Sequence, residues 1–379
     1  MKVVHFSPIY IDGWGYQDNL LPKYFKIMGY EVCVISPNIL PSEFRSKEIL
    51  KGKYYIDDVE IRRINVFWYL SSTFFATKGL YKNLKEKNPQ ILFHHGIGLT
   101  SLFVCGLYRI FNPECTLYVD NHSDFINHTK SKIWFVFYSK FILRILSNLL
   151  SPFVRIFYGV SPSRCDYLET VFKIKKNKIE HLPIGADTLA FEAITLSKDA
   201  IKAKYKIPPC DYIVISGGKM GKDKGTDSLI RAVEDIKSKG EKISLVLFGS
   251  INDADTQYLA KKSESVLLLG WCNRETTFEI LKIADVAVWP IHHTTLIEDS
   301  IACLTPIILR KTRTTEHLIN GNGIFIDEGT FDEIKSAILE IKNQNVDNLL
   351  NKCISMREKI DYRTIVNMII NDHSIINFD

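Results

Sequence analysis

Residues 212–236 read YIVISGGKMGKDKGTDSLIRAVEDI. An apolar, β-branched run leads into a segment with glycines at 217, 218, 221 and 225 and lysines at 219, 222 and 224. A stretch with apolar residues at helical spacing follows. The pattern predicts a strand, a turn and a helix over Asp227–Lys239. Glycine lets a backbone approach a ligand with its N–H groups exposed, and lysine brings a point charge to phosphate oxygens. A helix N-terminus aimed at the same place adds its dipole. Known phosphate signatures do not fit. A P-loop needs Gly-Lys-Ser/Thr, but Gly221-Lys222 precedes Asp223, and position 216 is Ser. A GxGxxG fingerprint is absent as well. The same residues also read as a solvated turn with surface lysines.

Downstream, the grammar repeats. SLVLFGS, VLLLGW, VAVWPI, TPIIL and GIFID are strand candidates separated by helical patterns. Upstream it appears again in KVVHFS, YEVCVIS, VEIRRIN, QILFHHG, TLYVDN, IFYGVS and IEHLPIG. Strands alternating with helices imply parallel sheets covered on both faces. Residues 188–210 lack strand character and end in Pro-Pro, which sets a junction there. The expectation is α/β: two doubly wound, Rossmann-like domains facing a central cleft, residues 1–190 and 191–360. A helix over 361–379 is expected to pack back on the first. In such sheets ligands lie at the carboxyl ends of strands.

Of the 379 residues, 46% are hydrophobic and 24% charged, with a net charge of +5. That composition supports a large core and excludes disordered or fibrous classes. The first half is basic and the second slightly acidic, which argues against a nucleic-acid binder, as does the lack of any recognition motif. Eight scattered cysteines without a CxxC pair read as reduced thiols in a cytoplasmic protein. The N-terminus MKVVHFSPIY reads as a first strand and not as a signal peptide. No His, Cys and carboxylate set has metal-ligand spacing.

A second constellation is VWPIHHTTLIEDSIACLTPIIL, residues 288–309. A strand ends at Pro290, and His292, His293, Thr294 and Thr295 form a polar loop. Glu298 and Asp299 stand in the first turn of a helix, with Thr294 or Thr295 as its N-cap. Carboxylates there suit vicinal hydroxyls such as those of a ribose. Acidic residues are also common in first turns because they favour the dipole. In the first half, LYVDNHSDF puts Asp120, His122 and Asp124 at a strand end, and FHHGIG does the same for His94 and His95. Each histidine also reads as a structural, backbone-satisfied side chain. Residues 125–165 hold Lys130, Lys132, Lys140, Arg144, Arg155 and Arg164 with no acidic residue, interleaved with aromatic runs. As a helix, this segment places Lys132, Lys140 and Arg144 on one face. It reads as an anionic membrane surface contact through residues 130–158, or as a buried helix pair with lysines at its rim. Charges interrupt every window long enough to span a bilayer.

Taken in order, these motifs resemble glycosyltransferase family 4, nucleotide-sugar enzymes of the GT-B fold. HLPIGADTLAF (181–191) is similar to that family's hinge motif, and SGGKMGKDKGTDSLIRA to its GRxxxxKGxxxLIxA. GWGYQDNLLPKYFKIMGYEVCVIS resembles its glycine loop, helix and second strand, and GVSPSRCDYL its xVSxSxxxxxxL. The likeness spans residues 1 to about 345. It implies that Lys219 and Lys224 grip the donor diphosphate, beside Gly218. His122, with Asp120 next to it, would touch the transferred sugar or the acceptor, and Gly13 and Gly15 would admit phosphate or acceptor. Glu298 or Asp299 would hold the ribose. Two departures stand out. The family's first glutamate has no counterpart: eight positions before Asp299 stands Ile291, in a loop about three residues short where His292 or His293 would take its place, and its glycine before Thr-Pro is Leu304.

The resemblance therefore implies transfer of a hexose-type sugar from a nucleoside diphosphate to a saccharide or lipid-linked acceptor in cell-surface polysaccharide synthesis. It implies retention of anomeric configuration and no metal or other cofactor, while the reduced thiols and the basic segment read as a place in the cytoplasm, peripheral on the inner face of the membrane. The departures leave room for a non-catalytic relative that only binds nucleotide sugar or acts as a scaffold. A sugar-nucleotide epimerase and a nicotinamide-dependent oxidoreductase are further alternatives, the latter disfavoured by the missing GxGxxG.

Overall fold

The computed structural model describes residues 1–40, 49–71, 74–125 and 135–376. It divides into two compact units, Met1–Ile184 with Tyr362–Asp379, and Gly185–Asp361. Both are α/β.

Unit 1 is built on an eight-stranded sheet of β1 (Lys2–Phe6), β2 (Glu31–Pro37), β3 (Lys53–Ile56), β4 (Val59–Ile64), β7 (Ile91–His94), β8 (Thr116–Asn121), β9 (Val154–Gly159) and β10 (Ile179–His181). Their order is β10-β9-β8-β7-β1-β2-β4-β3, and only the edge pair β3–β4 is antiparallel. Asp57 and Asp58, both at positive φ, make the two-residue turn between that pair. A separate hairpin joins β5 (Val66–Ser71) to β6 (Phe74–Thr77). The inner strands are buried on both faces, as a covered parallel sheet requires. Helix Tyr362–Ile376 packs on helix Gln17–Ile27, where the rings of Tyr24 and Tyr362 lie 5.1 Å apart. Asp372 ties it to the sheet, accepting from Tyr118 Oη at 2.7 Å and from Arg155 Nη2 at 2.8 Å.

Unit 2 carries a six-stranded, all-parallel sheet ordered β13-β12-β11-β14-β15-β16. Its strands are β11 (Tyr212–Met220), β12 (Ile243–Ile251), β13 (Val266–Gly270), β14 (Val286–Trp289), β15 (Ile307–Arg310) and β16 (Gly323–Ile326). The chain runs outward from β11 to β13, then crosses to β14 on the other side of β11. The carboxyl ends of β11 and β14 thus flank a topological switch point, where open sheets of this kind leave a crevice. Residues 185–210 belong to this unit: Ile194, Ile201 and Ile207 are buried with Phe278, Ile280 and Ile283. Burial of those isoleucines moves the start of the second unit to Gly185, ahead of the Pro-Pro stretch.

All eight cysteines are unpaired. Among the described residues, no helix is long and apolar enough to cross a membrane.

Candidate functional site

In unit 2 the strand outlasts its expected length. β11 pairs with β12 through Lys219 and Met220, so the strand runs two residues past Gly217 and Gly218. The cause lies across the ladder. A Cβ on Gly217 would come within 2.4 Å of the Phe248 ring, and one on Gly249, at φ +110, within 2.1 Å of the Gly218 carbonyl oxygen. Trp289 Nε1 on β14 donates to the Gly217 carbonyl at 3.2 Å. Small residues let three strands close up at the switch point.

The turn proper spans Gly221–Gly225, with a 3-10 segment at Lys222–Lys224, and the helix starts at Thr226. Gly221 N–H donates to Thr226 Oγ1 at 3.2 Å and Lys222 N–H to the Asp253 carboxylate at 3.0 Å. The N–H groups of Lys224, Gly225 and Thr226 donate to carbonyls inside the turn. These five donors of the turn are thus taken up within the fold. Side-chain charge stands at the same strand end. Lys219 is exposed and forms no ion pair among the described residues; Lys224 is half-buried, 3.5 Å from Asp223.

The loop after β14 packs onto this strand end. Gly225, at φ +73, would put a Cβ 3.0 Å from that of Pro290, and Gly218, at φ +96, one 3.4 Å from Leu296 and 4.0 Å from Thr294 Oγ1. The two constellations, 76 residues apart in the chain at Gly218 and Thr294, are therefore one site. Partial burial, with the Lys224 ammonium and the Arg310 guanidinium nearby, holds the exposed His292 imidazole below its ordinary pKa. Arg310, at the end of β15, is a cation that sequence reasoning missed. Thr295 is the N-cap of helix Leu296–Ala302, but its hydroxyl makes no capping bond.

The two neighbouring carboxylates have different surroundings. Asp299 is held by Arg274 Nη2 at 3.1 Å, and Arg274 also donates to Asp187 at 2.7 Å. Burial, only partly offset by Arg274, lifts the Asp299 pKa to about 6. It is thus a member of an ion-pair network that includes Arg274, another residue that sequence reasoning missed. Glu298 is 1% exposed; Oε1 meets His293 Nε2 at 2.8 Å, whereas Oε2 has no hydrogen-bond partner. A buried carboxylate oxygen without a donor is costly unless a ligand supplies one. Of the pair, Glu298 is the one open to a hydroxyl.

In unit 1 the histidines gather at the carboxyl ends of β1, β7 and β8, again a switch point. Asp120 is fully buried and accepts from His95 Nδ1 at 2.8 Å, His122 Nε2 at 3.2 Å and Gly96 N–H at 2.6 Å. His5 continues the chain, 3.1 Å from His95 Nε2. Burial opposes charge on Asp120, but His122 and His95 win and hold its pKa far below the carboxylate range. Burial likewise opposes charge on His95, yet Asp18 and Asp120 raise its pKa. His94, bonded to Ser101 and Gly96 and pushed down to about 4 by burial, is a neutral structural residue. His122 is the partly exposed end of the chain.

Gly15 lies two residues before helix Gln17–Ile27 and is half-buried, and Gly13 takes φ +75 with open space around it. Gln17 is buried, and neither atom of its amide has a partner. No pattern in the sequence singles it out. Among the described residues, Asp18, His95 and His122 place three metal-type ligand atoms within 4.8 Å of one another. Both ring nitrogens of His95 are already hydrogen-bonded.

Residues 197–360 match the family model Glycosyl transferases group 1. The capsular polysaccharide biosynthesis glycosyltransferase CapM of Staphylococcus aureus is 25% identical over 216 residues, 54% of this chain and 56% of that protein. The chain thus spans about half the length of the curated relative it matches. Among solved structures, a glycosyltransferase from Rickettsia africae aligns with a TM-score of 0.70 at 14% identity, covering 99% of this chain and 98% of that one. Anabaena HepE, in complex with UDP and glucose, aligns with a TM-score of 0.65 at 14% identity and 99% coverage of both chains. These likenesses show the fold, which is GT-B.

Proposed function

We propose that this protein is a glycosyltransferase. It moves a hexose-type sugar from a nucleoside diphosphate to a saccharide or lipid-linked acceptor in cell-surface polysaccharide synthesis, without a metal and with retention of configuration. The observation that carries the reading is the buried, partnerless Glu298 Oε2 in the loop-helix segment that packs on the β11 end, the strand end that also carries Lys219, which forms no ion pair among the described residues. A carboxylate acceptor and ammonium groups carried by the same strand-end site match a ligand that joins hydroxyls to a diphosphate.

Glycosyl transfer passes through an oxocarbenium-like state whose barrier falls when the departing diphosphate is stabilised. Lys219 and Lys224 supply that charge, with Arg310 near His292. Glu298, oriented by His293, accepts from a hydroxyl of the nucleotide or the sugar. His122, backed by Asp120, serves the transferred sugar or the acceptor. UDP in HepE supports a uridine donor, and the description of CapM supports a polysaccharide product.

The test is isothermal titration with UDP and GDP and their sugars, then turnover with saccharide acceptors. Lys219→Ala and Lys224→Ala are each expected to weaken nucleotide binding by about tenfold or more, a loss of roughly 1.4 kcal/mol, and Lys224→Ala to lose most transfer while staying folded. Wild-type affinity in both variants would sink the reading. The missing counterpart of the family's first glutamate, with Ile291 eight positions before Asp299, favours one second reading, binding without turnover. Tight nucleotide-sugar binding with no transfer to any acceptor would select it.

A further inference from the structure

Unit 1 has an apolar face that stays exposed among the described residues. Hairpin β5–β6, helix Leu99–Phe111, the π-helical segment Phe135–Leu143 and helix Arg144–Leu150 pack together on one flank. Inward, Phe74 meets Tyr138 edge-to-face at 5.0 Å, and Leu102, Cys105, Tyr138 and Leu146 join the core. Outward, Phe67, Phe103, Phe137, Phe141, Ile145 and Leu149 are exposed, Phe67 by 70%, Leu149 by 68% and Phe141 by 58%. Between Phe67, Phe103 and Leu146 lies a groove of about 300 Å³. Single exposed apolar residues are ordinary; a contiguous set on four packed elements marks an interaction site.

Charge selects the partner. Residues 66–77, 99–111 and 135–150 contain no aspartate or glutamate, but carry Arg109, Lys140 and Arg144. None of the three forms an ion pair among the described residues, and Lys140 Nζ lies over the Phe135 ring at 5.2 Å. A second copy of this chain would set like charges against each other across the contact, which disfavours self-association. Aromatic and aliphatic side chains with a basic set between them fit the headgroup–acyl boundary of an anionic bilayer, where lysine and arginine stems reach up to phosphates.

We propose that this face docks on a membrane rich in anionic lipid. The segment Phe135–Leu143 winds as a π-helix, so the α-helical spacing expected from the sequence does not hold there, yet Lys140 and Arg144 are both exposed. Lys130 and Lys132 lie outside the described residues. The proposal does not depend on the identity of the sugar donor.

The experiment is flotation of the full chain with vesicles of phosphatidylcholine alone and with about one-third phosphatidylglycerol, at low and high salt. Partitioning is expected to be about tenfold stronger on the anionic vesicles and to fall as salt rises. Phe137→Ser with Phe141→Ser should cut it about tenfold. Lys140→Glu with Arg144→Glu should abolish the preference for anionic lipid; these charged side chains are exposed, so that variant keeps the test open if the phenylalanine variant unfolds. Equal partitioning on both vesicles, no flotation, or a dimer in sedimentation velocity that Phe141→Ser dissociates would each overturn the proposal.

Discussion

Leu304 occupies a backbone conformation that its side chain resists. It follows helix Leu296–Ala302 at φ +61. Its N–H donates to the Ile301 carbonyl and that of Thr305 to the Ser300 carbonyl, the two bonds of a Schellman cap. Glycine is the usual residue there, because a β-carbon in the left-handed region costs about 1–2 kcal/mol. Leu304→Gly is therefore expected to leave stability unchanged or raise it by about 1 kcal/mol, while Leu304→Ala, which keeps the strain and loses half-buried surface, lowers it. Urea unfolding of the two variants decides; a glycine variant less stable than the alanine one contradicts the account. At this scale the sequence shows that a glycine is missing but not that the cap survives without it. Glu298 and Asp299 were likewise indistinguishable as two acids in a first turn. About 100° of helix rotation separates them, and what tells them apart is Arg274, far away in the chain. Gln17 gave no signal, since a lone glutamine beside a glycine loop fits any surface.

The alternation of strands and helices was legible, and with it the α/β class, because apolar runs and helical spacing are local signals. The end of β11 was not. Glycines inside a strand look like a turn until the neighbouring strand is known, and here the reason for them is Phe248 and Gly249 on β12. That pairing makes an element-level prediction. Gly249→Ala puts a methyl against the Gly218 carbonyl at φ +110 and is expected to cost about 3 kcal/mol or more. Gly240, at φ +96 with open space around it, controls for backbone strain alone, and Gly240→Ala is expected to cost about 1 kcal/mol. Equal losses for the two, read by urea denaturation, would mean that the strands do not approach as closely as described.

Across the whole molecule, the sequence showed a basic half and a slightly acidic half, and the fold gives each its own sheet. Nothing periodic in residues 362–376 names the strands of unit 1 that they contact. Asp372 settles it by contact with Tyr118 and Arg155. Asp372→Ala removes the acceptor for both and is expected to lower the stability of unit 1 by about 1–3 kcal/mol. Asp372→Asn, which still accepts from Tyr118, should lose less; thermal unfolding monitored by tyrosine fluorescence separates them, and an alanine variant that melts with the wild type would argue against the contact.

One consequence follows for the protein as it leaves the ribosome. Helix Tyr362–Ile376 belongs to unit 1 but is translated only after all of Gly185–Asp361. Until then, the patch of helix Gln17–Ile27 that it covers, Tyr24 included, stays bare on the nascent chain. The first unit begun is thus the last to be sealed, and a chaperone that recognises exposed tyrosine and phenylalanine has the full synthesis of the second unit in which to hold it.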